Sequence, residues 1–154
     1  MGVVTIEREV TFSVPKETIF KVFAQDNHNI VPKVTPHVSC EVLPCSGKKA
    51  TFGAAGGELK HIKTKDEATD KENFTHSYTI VEGEPWSDSL DKVLVSIKVE
   101  SAPNGGSVLK SCSKYVPKTN CTLDEGRINA ITESIMALYK HVEAQILANP
   151  TACN

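Results

Sequence analysis

The feature that most constrains this chain lies near its end. Ile128, Ile131, Ile135, Leu138, Val142 and Ile146 recur at steps of three and four. That spacing lays one apolar stripe along a single face of an α-helix. Thr122-Leu123-Asp124-Glu125 matches a capping box at its start, and Asn149-Pro150 ends it. A helix of about 22 residues results, roughly 33 Å long. Its stripe must be buried against something, and the only large partner the rest of the chain offers is a sheet.

The sheet is legible in pieces. Val4, Ile6, Val10 and Phe12 alternate with Thr5, Glu7, Glu9 and Thr11, as in a half-buried strand, with Arg8 the exception on the apolar side. Ser13 offers a helix cap and Pro15 suits a first helical turn. Ile19, Phe20, Val22 and Phe23 follow at helical spacing, and a second brief helix fits residues 27–34; Pro32 and Pro36 forbid a longer one. Residues 38–116 read mostly as strand and turn, with a strand from His76 to Val81. Val93, Val95, Ile97 and Val99 alternate with polar neighbours and Leu94, Ala102-Pro103-Asn104-Gly105-Gly106 is a turn, and 107–116 returns antiparallel.

Composition narrows the function classes. The 154 residues fit one domain, 1–154, and a chain of that length buries a core without staples. A net charge of -2 argues against a general nucleic-acid binder. Lys60, Lys63 and Lys65 cluster locally, as a solvated strand face would. No stretch reaches the roughly 18 apolar residues that cross a bilayer. The opening residues lack the design of a signal peptide, and Ile6 stands where a myristoylation motif needs Ser or Thr, so a cytoplasmic location is expected. Five cysteines, odd in number and irregular in spacing, make neither a disulfide framework nor a zinc site, so free thiols are expected. Neither a metal nor another cofactor is expected. The sequons at Asn73 and Asn120 carry no meaning without secretion.

Several segments together carry a family resemblance. They are Gly2-Val3-Val4; residues 26–37, with the pattern D-x-x-N-x-x-P-K-x-x-P; Ser77-Tyr78-Thr79-Ile80-Val81-Glu82-Gly83; residues 101–107 with Ser113-Lys114-Tyr115; and Leu147-Ala148-Asn149-Pro150. In this order, over essentially the whole chain, they resemble the birch major pollen allergen (Bet v I, or class 10 pathogenesis-related) family. The resemblance implies an α+β fold of the helix-grip, START-like kind. A curved seven-stranded antiparallel sheet would wrap around the long C-terminal helix, two short helices would support that helix, and a hydrophobic cavity would lie between. Members of the family bind flavonoids, cytokinins and other hormones, fatty acids, sterols or alkaloids, and a few relatives, the norcoclaurine synthases, are condensing enzymes.

Two departures from the family pattern bear on function. The glycine-rich loop after the second strand is about six residues short, leaving Gly47, Lys48 and Lys49 where a run of backbone N–H groups would cradle phosphate. The residues to which ribonuclease activity has been assigned in some members are only partly kept. Asp91 replaces a glutamate and Gln145 replaces a tyrosine, while Glu143 remains. Ribonuclease activity is therefore not expected.

Matching the family's inward-facing positions gives a set of cavity candidates: Phe23, Val31, Phe52, Leu59, His61, His76, Tyr78, Ile80, Trp86, Val95, Ile97, Leu109, Ser111, Ala130, Ser134 and Leu138. Any single aliphatic member of the set is equally an ordinary core residue. The polar members say more. His61 and His76 belong to neighbouring strands, Tyr78 shares the face of His76, and an imidazole near neutral pKa moves protons. Ser111 and Ser134 would widen the pocket for a bulky polycyclic ligand. Trp86 would lid the mouth or anchor its loop.

The leading expectation is a plant pathogenesis-related-type protein that binds a small hydrophobic metabolite or hormone, as a monomer or weak homodimer with no nucleic-acid or membrane partner. The alternative is an enzyme of alkaloid metabolism on the same fold, an acid–base isomerase or condensing enzyme using His61, His76, Tyr78 and Lys63. A signalling role ranks last, because no receptor-type gate motif occurs.

Overall fold

The computed structural model describes residues 2–35, 38–43, 47–52, 60–84, 89–149 and 151. Strand β1 (Val4–Phe12) leads into helix α1 (Lys16–Phe20), a π-helical turn (Lys21–Gln25) and helix α2 (Asn27–Val34). Strands β2 (Ser39–Val42), β3 (Gly47–Thr51), β4 (His61–Asp70), β5 (Thr75–Glu84), β6 (Leu90–Ser101) and β7 (Ser107–Pro117) follow, and helix α3 (Glu125–Ala148) closes the chain. The strands form one antiparallel sheet in the order β1-β7-β6-β5-β4-β3-β2.

Cross-strand register sets which side chains face α3. Residues directly opposite one another share a face. One such row runs Arg8, Ser111, Ile97, His76 and Thr69 across five strands. The next inward row holds Ile6, Ser113, Val95, Tyr78 and Asp66. The alternation of β6 is clean: Val93, Val95, Ile97 and Val99 are buried and their neighbours are not. Hairpin β6–β7 turns where the sequence places it. Gly105 adopts φ +89°, and a Cβ on Gly106 would collide with the Phe12 carbonyl oxygen, so neither position takes another residue freely.

Both helix starts differ from the sequence reading. Pro15, not Ser13, precedes the first turn of α1. The Ser13 N–H and hydroxyl instead donate to the Glu143 carboxylate on α3, at 2.7 and 3.3 Å. Asp124, rather than Thr122, caps α3, accepting from the Arg127 N–H at 3.2 Å. A carboxylate next to the helix outcompetes a hydroxyl two residues farther out, because the positive end of the helix favours the anion.

The interior divides into two apolar clusters. One joins β1, β5, β6 and β7 to α1 and to Ile128 and Tyr139 of α3. The other joins α2, Val38 and Phe52 to Val142 and Ile146 at the far end of α3. Phe23, Ile62 and Ile135 are only partly buried and touch both. A space is left between the clusters where these three meet.

Candidate functional site

That space is a cavity of about 120 Å³. Its apolar wall comes from Phe23, Val31 and Phe52, with Ile62, Ile135 and Leu138. Of the α3 stripe, Ile128, Ile131, Val142 and Ile146 are buried, whereas Ile135 and Leu138 keep some exposure. They are the two stripe residues that line the cavity.

One side of the cavity is polar. Thr64 and Asp66 project inward from β4, Lys48 from β3, His76 and Tyr78 from β5, and Asn27 from the start of α2. Lys48 Nζ donates to Asn27 Oδ1 at 3.2 Å and pairs with Asp66 Oδ2 at 3.1 Å. The other Asp66 oxygen lies 3.6 Å from His76 Nε2, and His76 Nδ1 meets the Thr69 hydroxyl at 2.8 Å. The His76 ring also stacks on Tyr78, with centroids 5.6 Å apart.

The electrostatics follow from burial. The His76 side chain is 2% exposed, against 43% for Asp66. Desolvation lowers the His76 pKa below its usual value, with Lys48 acting the same way, and this outweighs the opposing pull of Asp66 and of a backbone hydrogen bond at Ala68. His76 is therefore a neutral imidazole at pH 7, able to accept a proton. Tyr78 is pushed well above the ordinary phenol value, first by burial, then by Tyr139. Tyr139 is raised to about 12 by burial, less a contribution from the hydrogen bond it shares with Tyr78. Lys48 and Asp66 neutralise each other, so the polar side presents hydrogen-bonding groups without a net charge.

The structure brings together only part of the set expected from the sequence. Phe23, Val31, Phe52, His76, Tyr78 and Leu138 line the cavity. Ile80, Val95 and Ser111 line a smaller void behind Tyr78. Ile97 and Leu109 are buried in the larger core cluster. Ala130 and Ser134 are half-buried on α3 and belong to neither lining, so Ser134 does not widen the pocket. Leu59 and Trp86 lie outside the described residues.

His61 and Lys63 need correction as partners of His76. His61 stands opposite Glu84 at one end of β4, while His76 stands opposite Thr69 near the other. Their faces differ as well. Ile62 and Thr64 project inward, so His61 and Lys63 project outward, and Lys63 pairs with Glu82 at 3.4 Å. The proton-handling groups beside His76 are instead Asp66, Lys48 and Thr69, none of them in the expected set. Two register shifts, with Val81 unpaired on β5 and Glu67 unpaired on β4, change the pairing that a count along the sequence would follow.

A wider hollow, about 610 Å³, crosses the opposite face of the sheet. Glu7, Ser77, Ser96, Lys98, Lys110 and Cys112 line it, an open surface on which Lys110 pairs with Glu100 at 2.8 Å. The buried His76 and Ser111 also border it. The cavity between sheet and α3, which joins an apolar wall to a polar side, is the candidate site.

Among the described residues, no three His, Cys, Asp or Glu side chains group as a metal ion needs, and no helix is long and apolar enough to cross a membrane. Cys40, Cys112 and Cys121 are free thiols, and Cys45 and Cys153 lie outside the described residues. Cys40 borders the cavity, and its thiol is pushed up by burial, which Lys48 only partly offsets.

Comparison with known proteins agrees with this architecture. The profile of the pathogenesis-related protein Bet v 1 family matches residues 1–149. Major allergen Pru ar 1 of Prunus armeniaca is 38% identical, with all of both chains covered. Major strawberry allergen Fra a 1-A of Fragaria ananassa is likewise 38% identical over the whole of both chains. Among solved structures, Ara h 8.0201 superposes with a TM-score of 0.78 at 28% identity, covering 96% of this chain and 100% of its own. A ginseng major latex-like protein from Panax ginseng has a TM-score of 0.73 at 14% identity, covering 94% and 97%, a likeness of fold alone.

Proposed function

This chain belongs to the pathogenesis-related protein Bet v 1 family, and on that premise we propose that it holds a small hydrophobic plant metabolite reversibly in the cavity between sheet and α3. The observation that carries this reading is the cavity's build. An apolar wall of Phe23, Phe52, Ile62, Ile135 and Leu138 faces a single polar side of Lys48, Asp66, His76 and Tyr78. Ligand sites have this character, mostly apolar with a few placed polar groups that fix orientation. Lys48 is ion-paired to Asp66 and His76 is hydrogen-bonded to Thr69, so a ligand head group meets a preorganised surface. We place the protein in the cytoplasm as part of the same reading, which the free thiols favour.

A second reading rests on one observation, the neutral His76 beside Asp66. In this reading His76 takes a proton from carbon next to a ligand carbonyl and returns it at another carbon, while Lys48 or Tyr78 hydrogen-bonds the oxygen. The net change is a double-bond isomerisation, and it needs no cofactor.

One incubation separates the two. The protein is offered single-ring phenols, cytokinins, flavonoids, sterols and benzylisoquinoline or morphinan alkaloids, and the small molecules are recovered and compared with a boiled-protein control. Retention of a compound unchanged is the expected result. Conversion, including to an isomer of equal mass, would put the enzyme reading first and make His76 the residue to replace. Failure to retain or convert any class would remove both.

A further inference from the structure

The cavity ends at a wall that this chain builds for itself. The main space and a void of about 10 Å³ share three lining residues, Tyr78, Ile135 and Tyr139. Tyr78 reaches in from β5 and Tyr139 from α3, and their hydroxyls interact across the gap. Phe23 meets Tyr139 edge-on, with centroids 4.8 Å apart and planes at 77°, and holds the ring in place. Behind the wall lie Ser111 and Ser113, with the Tyr115 and Thr132 hydroxyls 3.0 Å apart. The void has room for one water at most, so no ligand passes the wall while it stands.

The space on the near side is small. At about 120 Å³ it falls below the roughly 300–1,000 Å³ of sites for drug-sized ligands. An apolar cavity of about 150 Å³ takes a benzene ring, so one ring is the scale that fits. The polar side then selects chemistry. The Lys48–Asp66 pair is charge-balanced and would be disturbed by a charged head group. A neutral phenol both donates and accepts, and so can join Tyr78, His76 and Lys48 without leaving a buried group unpaired.

We propose that the Tyr78–Tyr139 bridge is the size selector of this cavity, admitting compact single-ring phenolic molecules and excluding linked or fused multi-ring ones. The selector rests on the binding function proposed above and names the ligand class for it. Ile135 is part of the same wall, because it lines the space on both sides of it.

The test is calorimetric titration of the full chain with 4-ethylphenol, 4-phenylphenol and the three-ring flavanone naringenin. The wild type is compared with Tyr139→Leu, Ile135→Ala and Tyr139→Phe, each checked for folding by its thermal melt. The wild type is expected to bind 4-ethylphenol at least roughly tenfold more tightly than either larger probe, the scale of steric discrimination by an apolar pocket. Tyr139→Leu removes the ring and should bring 4-phenylphenol to equal or tighter binding than 4-ethylphenol. Ile135→Ala should move the ranking the same way, and it carries the test if Tyr139→Leu does not fold. Tyr139→Phe keeps the ring and should keep the size ranking. Equal wild-type affinity for all three probes overturns the selector, as does an unchanged ranking in the folded wall variants. Binding by none of the folded proteins overturns the binding function as well, so the two failures are distinguishable.

Discussion

Replacing Phe12 with alanine is expected to lower the unfolding free energy by about 3–5 kcal/mol, the cost of truncating a buried aromatic side chain. Phe12 is 1% exposed and sits at the end of β1, opposite Ser107. Its ring packs against Phe23 with centroids 5.9 Å apart, and Lys140 Nζ lies 5.4 Å from its centre. The backbone there has little room to collapse, because Gly106 is pressed against the Phe12 carbonyl. For a domain of this size the melting temperature should fall by roughly 6–20 °C. The site should change with it, since Phe23 lines the cavity and braces Tyr139. Chemical denaturation of wild type and variant measures the effect, and a loss under about 1 kcal/mol would show that the site relaxes fully.

Glu143→Ala should cost about 1–3 kcal/mol, the range for removing an acceptor from hydrogen-bonded donors. Glu143 is buried on α3, and its carboxylate takes the Ser13 N–H, the Ser13 hydroxyl and Lys140 Nζ, the last at 2.7 Å. Lys140 also donates to the Thr11 carbonyl at 2.7 Å, so the pair ties the last turns of α3 to the end of β1. Water replaces part of what is lost, because Ser13 itself is exposed. Burial pushes the Glu143 carboxyl up, yet the hydrogen bonds from Lys140 and Ser13 outweigh it and hold the pKa below 4.5. A carboxyl lowered by folding contributes stability above its unfolded pKa and loses it as pH falls through the lower folded value. The wild type should therefore weaken below about pH 4.5, and Glu143→Gln should show a shallower loss over the same range. Parallel acid titrations of stability in the two proteins would sink the assignment.

The sequence made the frame legible where a regular period meets a single burial demand. The α3 stripe, the alternation of β1 and β6, and the β6–β7 turn are of this kind, and each element stands where its pattern places it. The helix starts shifted: Asp124 displaces Thr122 as the cap of α3, and α1 begins after Pro15 with no side-chain cap. Ser13 was taken by a carboxylate 130 positions away, a contact that no local pattern encodes.

Much less of the site was legible. Lys48, Asp66 and Asn27 are charged or polar residues in polar segments, and such residues ordinarily face water. Only the cross-strand register, which sets Lys48 opposite Thr64 and Asp66 opposite Tyr78, turns them inward toward His76. His61 lies at the other end of β4, opposite Glu84, and so far from His76. Tyr139 did leave a signal, because it follows Ile135 by four positions, a helical step. It was obscured by Leu138, which completes the aliphatic stripe three positions after Ile135. The wall of the cavity is thus made by the residue next to the one the periodicity selects.

The proposed ligand site lies between the sheet and α3. The direct measurement is a two-dimensional NMR titration of the isotope-labelled chain with the compound retained from the incubation. The prediction is that shift changes concentrate on Ile62, His76, Tyr78, Ile135, Leu138 and Tyr139, residues around that cavity. Changes confined to Ser77, Ser96, Lys98, Lys110 and Cys112, on the outer hollow, would contradict it.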